Sequence, residues 1–566
     1  MLARLTRFVI VLVTMFAALA SAAETNTKLD APLRARSAAP HGFSRVIVRT
    51  LPGVSASAAI RSVAGTAGRR LPALGAQVAL VADTALESLA ARSDVLSIGL
   101  DRRVQGTLER TSATVGAAQV RDELGVDGAG VGVAIIDSGV ANWHDDLGTD
   151  RVVHFADFVT HMPQPHDDYG HGTHVAGIIA GTGYDSGGAR RGIAPGVSLV
   201  VLKVLDGAGD GYISNVIAAI DYVIEHRTRF NIRVLNLSVA AGVYESYGKD
   251  PFTLAARRAV DAGIVVVTSA GNLGRSETGQ IQRGGITAPG NAPWVLTVGA
   301  TNHQRTGART DDTLAAFSSR GPTNIDRAMK PDVVAPGVGI ESLAAGGSTI
   351  YNLNPAARLT GTIDTATTPY LSMTGTSMAA PIVAGTVALM LQANPDLTPN
   401  LVKAVIQYTA ERRPRIELTA QGAGFLNTRG AVQLAAALVK GAGPARSDGF
   451  ATWSRHVIWG HQRIRGGVLV ASATAWRADV TWGASTTGDG EPITWGTTAD
   501  GEPWGAGADV EPIAFGPLDV AFEVASEYRS GSREDETPAS PRRVLAAIRS
   551  ADRRRARRVL TAEGSV

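Results

Sequence analysis

Ser377 stands in the stretch Gly375-Thr376-Ser377-Met378-Ala379-Ala380-Pro381, at the head of an apolar helical pattern over residues 382–391. A serine in that place has two uses. It can cap the helix, its oxygen accepting a hydrogen bond from an orphan backbone N–H. It can also be a nucleophile, with the N–H groups and partial positive charge of the helix start placed where negative charge develops in acyl transfer. Three more polar stations bear on the choice. Asp137-Ser138-Gly139 ends an apolar run over 131–136, His171-Gly172-Thr173-His174 opens a helical pattern, and Ser269-Ala270-Gly271-Asn272 ends another apolar run. Alone, each has a plain structural reading as a turn or a cap. Together they supply one reaction. Ser377 attacks a carbonyl, a histidine takes its proton and returns it to the leaving amine, Asp137 orients that histidine, and Asn272 joins the Ser377 N–H on the oxyanion. Spacing leaves His171 and His174 both open as the base.

The elements that must position these residues alternate. Residues 131–136, 197–205, 234–239 and 264–268 read as strands, and 171–180, 213–226 and 251–262 as helices. Near-continuous apolar strands between helices predict an α/β, doubly wound, mostly parallel sheet covered on both faces. Such sheets bind ligands beyond the carboxyl ends of their strands, where all four stations fall.

The segments Ala134-Ile135-Ile136-Asp137-Ser138-Gly139, His171-Gly172-Thr173-His174-Val175-Ala176-Gly177 and Gly375-Thr376-Ser377-Met378-Ala379-Ala380-Pro381 resemble the signature segments of subtilisin-like serine proteases, in the same Asp…His…Ser order. The resemblance spans roughly residues 113 to 412. It implies an Asp137–His171–Ser377 triad, with His174 a packing residue, and an oxyanion hole of Asn272 and the Ser377 N–H. It further implies that substrate peptide adds beside Ser238, Val239 and Ala240, facing a wall of Ser269, Ala270 and Gly271. Val239-Ala240-Ala241 stands where the family more often has Leu-Gly-Gly, which implies a narrower side-chain pocket. The chemistry implied needs no cofactor. A structural calcium is an option in 181–189, through Asp185 and Ser186, although that loop departs from the family's asparagine-rich pattern.

Before this domain, residues 43–100 read β-α-β-β-α-β, a small ferredoxin-like α+β unit after a loose polar lead over 24–42. By resemblance it is an inhibitor propeptide, covering 23–108 and cut near 103–113 by Ser377 itself. Arg4 and Arg7, the apolar run 8–20 and Ala20-Ser21-Ala22 form a signal-peptide layout, so 1–22 directs secretion. No second segment reads as membrane-spanning. The absence of cysteine excludes disulfides, thiolate metal sites and a cysteine nucleophile. A net charge of +3 gives no reason to expect nucleic acid as a partner. Expected partners are protein substrates and the chain's own propeptide, and a monomer is expected.

The catalytic domain is expected over 109–440. Beyond it, 441–530 carries Trp-Gly pairs at 459/460, 482/483, 495/496 and 504/505, without a regular repeat. They read as short hairpins docked on the protease, the alternative being carbohydrate or surface binding by the tryptophans. Residues 531–566 form a basic tail, with eight arginines between 542 and 558. A zinc peptidase built on His171 and His174, with His166, Asp167 and Asp168 nearby, lacks any His-Glu-x-x-His motif. An α/β-hydrolase esterase lacks Gly-x-Ser-x-Gly. The non-enzymatic alternative is a catalytically silent subtilisin-fold binding protein.

Overall fold

The computed structural model describes residues 28–29, 31–71, 75–100, 107–276, 278–439, 452–498, 502–505 and 510–513. The signal-peptide layout and the basic tail lie outside the described residues. The chain divides into two compact units, Met1–Gln105 and Gly106–Val566.

In the first unit, strands β1 (Phe43–Thr50), β2 (Thr66–Leu71), β3 (Ala76–Ala82) and β4 (Val95–Leu100) form one antiparallel sheet in the order β2-β3-β1-β4. Helices Ala56–Ser62 and Leu86–Ala90 complete the ferredoxin-like order. Val46, Val48, Ala59, Ile60, Leu86 and Leu89 fill its core. The lead is not loose throughout. Ala31–Ala38 is helical, and Leu29 and Leu33 anchor that end of the chain in the same core. Two leucines among charged and small residues gave too thin an apolar stripe to read as a helix.

The second unit is built on β5 (Gly132–Asp137), β6 (Val152–Asp157), β7 (Ser198–Lys203), β8 (Ile232–Leu237), β9 (Val265–Ser269), β10 (Leu296–Asn302), β11 (Thr313–Leu314) and β12 (Val333–Pro336). The sheet order is β11-β10-β9-β8-β5-β7-β6, with β12 beside β10; every pairing is parallel except β10 with β11. Every residue of β5 and β9 is buried, as a sheet covered on both faces requires. A small antiparallel sheet, β13 (Ile340–Leu343), β14 (Arg358–Leu359) and β15 (Tyr370–Met373), leads into the Thr376–Ala393 helix. That helix is long and apolar enough to cross a membrane, yet most of it is buried within the unit. A helix apolar all round is a core helix when a domain surrounds it.

The tryptophan-rich extension continues this core. β16 (His456–Trp459), β17 (Gln462–Arg465) and β21 (Val510–Pro512) form one small sheet; β18 (Val468–Leu469), β19 (Thr494–Thr497) and β20 (Pro503–Gly505) form another. Trp459, Trp476, Trp482 and Trp495 are buried in the main cluster. Three of their ring N–H groups donate to carbonyls, Trp459 to Ala484, Trp476 to Val470 and Trp482 to Ile458. These rings are therefore packing residues and not a carbohydrate platform. Asn400, on the wholly buried Pro399–Thr409 helix, donates to the carbonyls of Ala475, Arg477 and Val480, fastening the extension to that helix.

Candidate active site

Asp137 is the last residue of β5, and His171 is the first of the His171–Ala180 helix. His171 Nδ1 donates to Asp137 Oδ1 at 2.8 Å. The same oxygen accepts the Ser138 N–H at 2.8 Å, while Asp137 Oδ2 is buried with no hydrogen-bond partner among the described residues. This places Nε2 of His171 as the free end of the ring.

A second carboxylate, Asp167, fixes where that helix begins. It accepts from the N–H groups of Gly170 and Thr173 and from the hydroxyls of Thr173 and Ser138, at 2.6 to 2.8 Å. The Ser138 hydroxyl in turn accepts the Gly172 N–H at 2.9 Å, tying the strand end to the helix start. Gly139, at φ +117°, lets these two approach: a Cβ there would lie 2.0 Å from the His166 carbonyl oxygen. Sequence reading placed Asp167 in a zinc set and gave Ser138 no role. The signal available was an aspartate shortly before a helix start, a capping pattern.

His174 lies one turn along the helix and is fully buried. Its Nε2 faces two carbonyl oxygens, Ile340 at 3.2 Å and Leu371 at 3.1 Å, so that nitrogen carries the proton. Burial, reinforced by the nearby His171, lowers its pKa to about 3 and keeps it neutral. For His171, burial pushes the pKa down, but the charge of Asp137 and the hydrogen bond to it outweigh burial, and the net shift is upward. The zinc grouping does not assemble. His166 Nδ1 bonds to the Gln164 carbonyl, Asp167 is consumed in capping, and His174 is held by carbonyls.

Ser377 is the second residue of its helix, so its N–H has no carbonyl one turn back. Pro381 lacks the N–H that would bond the Ser377 carbonyl, and the Ser238 hydroxyl takes that place at 3.1 Å. Asn236 holds Ser238 from the other side, donating to its hydroxyl at 3.0 Å. Ser377 Oγ donates to the Ser238 carbonyl oxygen at 3.3 Å, and among the described residues it makes no hydrogen bond to His171. Such bonds are often long without substrate and tighten when it binds.

Asn272 is oriented by Thr376. Its Oδ1 accepts the Thr376 N–H at 3.0 Å and the Thr376 hydroxyl at 2.9 Å, which leaves Nδ2 as the outward donor. The Thr376 hydroxyl also accepts the Gly271 N–H at 3.2 Å, so the Ser269-Ala270-Gly271 wall is fastened to the head of the serine helix. Ala270 and Gly271 have both their backbone N–H and carbonyl groups engaged within the protein. Ser238, Val239, Ser269, Ala270 and Gly271 are buried; Ala240 alone of the six substrate-side residues is exposed.

Residues 128–429 match the model of the subtilase family. The chain belongs to the subtilase family. It is 38% identical over 360 residues to Serine protease AprX of Bacillus subtilis (strain 168), covering 62% of this chain and 78% of that protein. It is 33% identical over 318 residues to Subtilisin E of the same strain, covering 55% and 67%. A cold-adapted subtilisin-like serine proteinase of known structure aligns at 30% identity over 53% of this chain and 88% of its own, with a TM-score of 0.39. This subtilase is accordingly a serine endopeptidase acting on proteins.

The loop expected to offer calcium ligands in this subtilase is closed on itself. Each carbonyl from Gly181 to Ser186 already accepts a hydrogen bond. The Ser186 hydroxyl donates to the Gly183 carbonyl and accepts the Arg190 N–H. Of the two side chains expected to offer calcium ligands, Ser186 is spent on these bonds, and the Asp185 carboxylate is buried without a hydrogen-bond partner among the described residues.

Proposed function

We propose that this endopeptidase works through Ser377 as nucleophile, His171 as base and Asp137 as the group that orients the base. The hydrogen bond of 2.8 Å from His171 Nδ1 to Asp137 Oδ1 carries the reading, because it leaves the other ring nitrogen free to take a proton. Ser377 Oγ attacks the peptide carbonyl carbon and its proton passes to His171 Nε2. The oxyanion is held by the Ser377 N–H and Asn272 Nδ2. His171 then gives the proton to the departing amine, and water releases the acyl group by the same steps in reverse roles. Substrate backbone runs beside Ser238, Val239 and Ala240. No cofactor enters these steps.

The same reading makes the chain a secreted zymogen. Residues 1–22 direct export, and 23–108 form an inhibitor that Ser377 removes. Support comes from the charged-then-apolar start of the sequence and from a first unit with its own core. Intact mass and N-terminal sequencing of the secreted wild type beside Ser377→Ala test both parts. A wild type cut within 103–113 and an uncut variant are expected. Equal cutting of both would remove self-processing, and labelling of Ser377→Ala by a fluorophosphonate as strong as that of wild type would remove the nucleophile.

A further inference from the structure

Tyr169 stands two residues before His171, and the two ring centroids are 6.4 Å apart. The phenol end of its ring lies across Gly209. That glycine has φ +83°, and a Cβ there would fall within 2.7 Å of three ring atoms. The backbone under the ring is held from two sides. The Thr349 N–H donates to the Asp168 carbonyl at 2.9 Å and the Ile350 N–H to the Tyr169 carbonyl at 3.0 Å, while the Thr349 hydroxyl donates to the Gly207 carbonyl at 2.6 Å. Lys203, buried opposite Asp137 in the register of β7 with β5, spends its three hydrogens on the Ser138 and Leu205 carbonyls and the Asp168 carboxylate. Yet the Tyr169 side chain stays partly exposed, and its hydroxyl has no hydrogen-bond partner among the described residues. Packing alone does not need a ring held open beside the base.

The charges round this ring point one way. Asp210 follows Gly209 in a turn closed by the Asp206 carboxylate, which accepts the N–H groups of Ala208 and Asp210. Asp210 itself is exposed, and its carboxylate makes no hydrogen bond or ion pair among the described residues. Burial raises the Tyr169 phenol pKa, and the charges of Asp137, Asp210 and Asp167 add to the shift, so the ring stays neutral in negative surroundings. Asp137 and Asp167 are engaged within the protein, and Asp168 is paired with Lys203. Asp210 is the carboxylate left open. A neutral aromatic face beside an open carboxylate suits a cation carried on an aliphatic stem.

We propose that Tyr169 and Asp210 form a specificity site for a lysine or arginine side chain of the substrate, at the second residue on the acyl side of the scissile bond. The proposal rests on the Ser377–His171 reading given above. In an extended peptide successive side chains point to opposite faces. The residue carrying the scissile carbonyl enters the cleft between 238–240 and 269–271, so the one before it turns towards His171 and Tyr169. Its stem lies along the ring and its charge meets Asp210.

The test gives the enzyme, as secreted from the full chain, peptides that differ only at that residue, as Lys, Leu or Glu. Active sites are counted by fluorophosphonate labelling. The kcat/KM for lysine should exceed that for leucine by about tenfold, and glutamate should be the poorest. High salt should shrink the lysine advantage. Asp210→Asn and Tyr169→Ala should each lower the Lys-to-Leu ratio several-fold, and Tyr169→Phe should retain it. Each ratio is taken within one variant, so a general loss of folding or activity cancels. Equal kcat/KM for lysine and leucine in the wild type, or a ratio unmoved by both Asp210→Asn and Tyr169→Ala, would overturn the proposal alone. So would a lysine preference found only on the leaving-amine side. Cleavage of the peptides by enzyme that takes no label on Ser377 would break the underlying reading and the proposal with it.

Discussion

Two histidine–aspartate pairs of the second unit are wired in opposite senses. In the pair His171–Asp137, Nδ1 donates to the carboxylate at 2.8 Å and Nε2 is left for chemistry. In the pair His144–Asp185, Nε2 bonds to the Pro369 carbonyl at 2.8 Å, and Nδ1 accepts the Asp146 N–H at 3.3 Å with the Asp185 carboxylate 3.7 Å away. Residue types are the same, so they do not decide the role, and the rings differ in exposure, His171 at 13% and His144 at 0%. What decides it is which ring nitrogen the surrounding backbone occupies. A base needs its outer nitrogen free and its inner one anchored. His144 has neither nitrogen free, because backbone groups engage both, and so it is held as a structural residue.

The largest effect that separates the pairs comes from Asp137→Asn. The amide can no longer hold the proton on Nδ1, so the ring settles in the wrong tautomer while the fold persists. A fall in kcat of about 10⁴-fold is expected, the scale known for this replacement in serine proteases. Steady-state kinetics on correctly processed protein checks it, and a loss below tenfold would break the assignment of Asp137. Asn272→Leu comes next. On the proposed role the change removes an oxyanion donor, and it leaves the Thr376 N–H and hydroxyl without their Asn272 acceptor. Turnover should fall by about 10²–10³, the figure established for the equivalent change in subtilisin, with KM little altered. A fall in kcat/KM that lies wholly in KM would move Asn272 from the oxyanion to substrate binding.

Much of this was legible in the sequence because the active-site residues sit in short, strongly patterned contexts. The His171–Ala180 and Ile213–His226 helices match their sequence limits, since apolar periodicity and polar ends coincide there. Four chemically distinct residues at strand ends and helix starts pointed to one edge of one sheet. Less legible were the strands β6, β10 and β12, which do not follow a long helix and show no clean alternation. The Asp167 clamp, the Thr376 relay and the His144 grouping were hidden for a different reason. Each joins residues whose proximity is created by the fold, such as Asp146 with Tyr370. The tryptophans of the extension were ambiguous because a Trp-Gly pair looks the same whether its ring faces solvent or core.

A third histidine sharpens the contrast at smaller cost. His174 shares a helix with His171 but has its Nε2 proton between two carbonyls and a pKa near 3. Replacing it with leucine strips two buried carbonyls of their donor. Stability should fall by about 1–3 kcal/mol with kcat per folded molecule unchanged. Denaturant midpoints set against active-site titration measure the two separately, and a large drop in kcat at full folding would give His174 a share of the chemistry.

The smallest effect is a displacement along the pH axis. The His171 pKa is raised by Asp137, so the neutral base is lost on acidification at a pH above the ordinary histidine value of about 6.5. The acid limb of kcat/KM should therefore turn down above that value, because this limb reports the free enzyme. In Asp137→Asn the turn should move to lower pH, since burial then acts on the ring without the compensating charge. Stability runs the other way. A raised histidine pKa contributes stability that is fully present below the unfolded value of about 6.5 and is lost as pH rises through the folded value. Within the window between the two, activity rises with pH while this contribution to stability falls. His174 stays neutral throughout this range, so it does not cloud the profile. An acid limb centred below 6.5 in the wild type would mean that burial outweighs the charge of Asp137 at His171. The contrast between the two wired pairs would then rest on geometry alone.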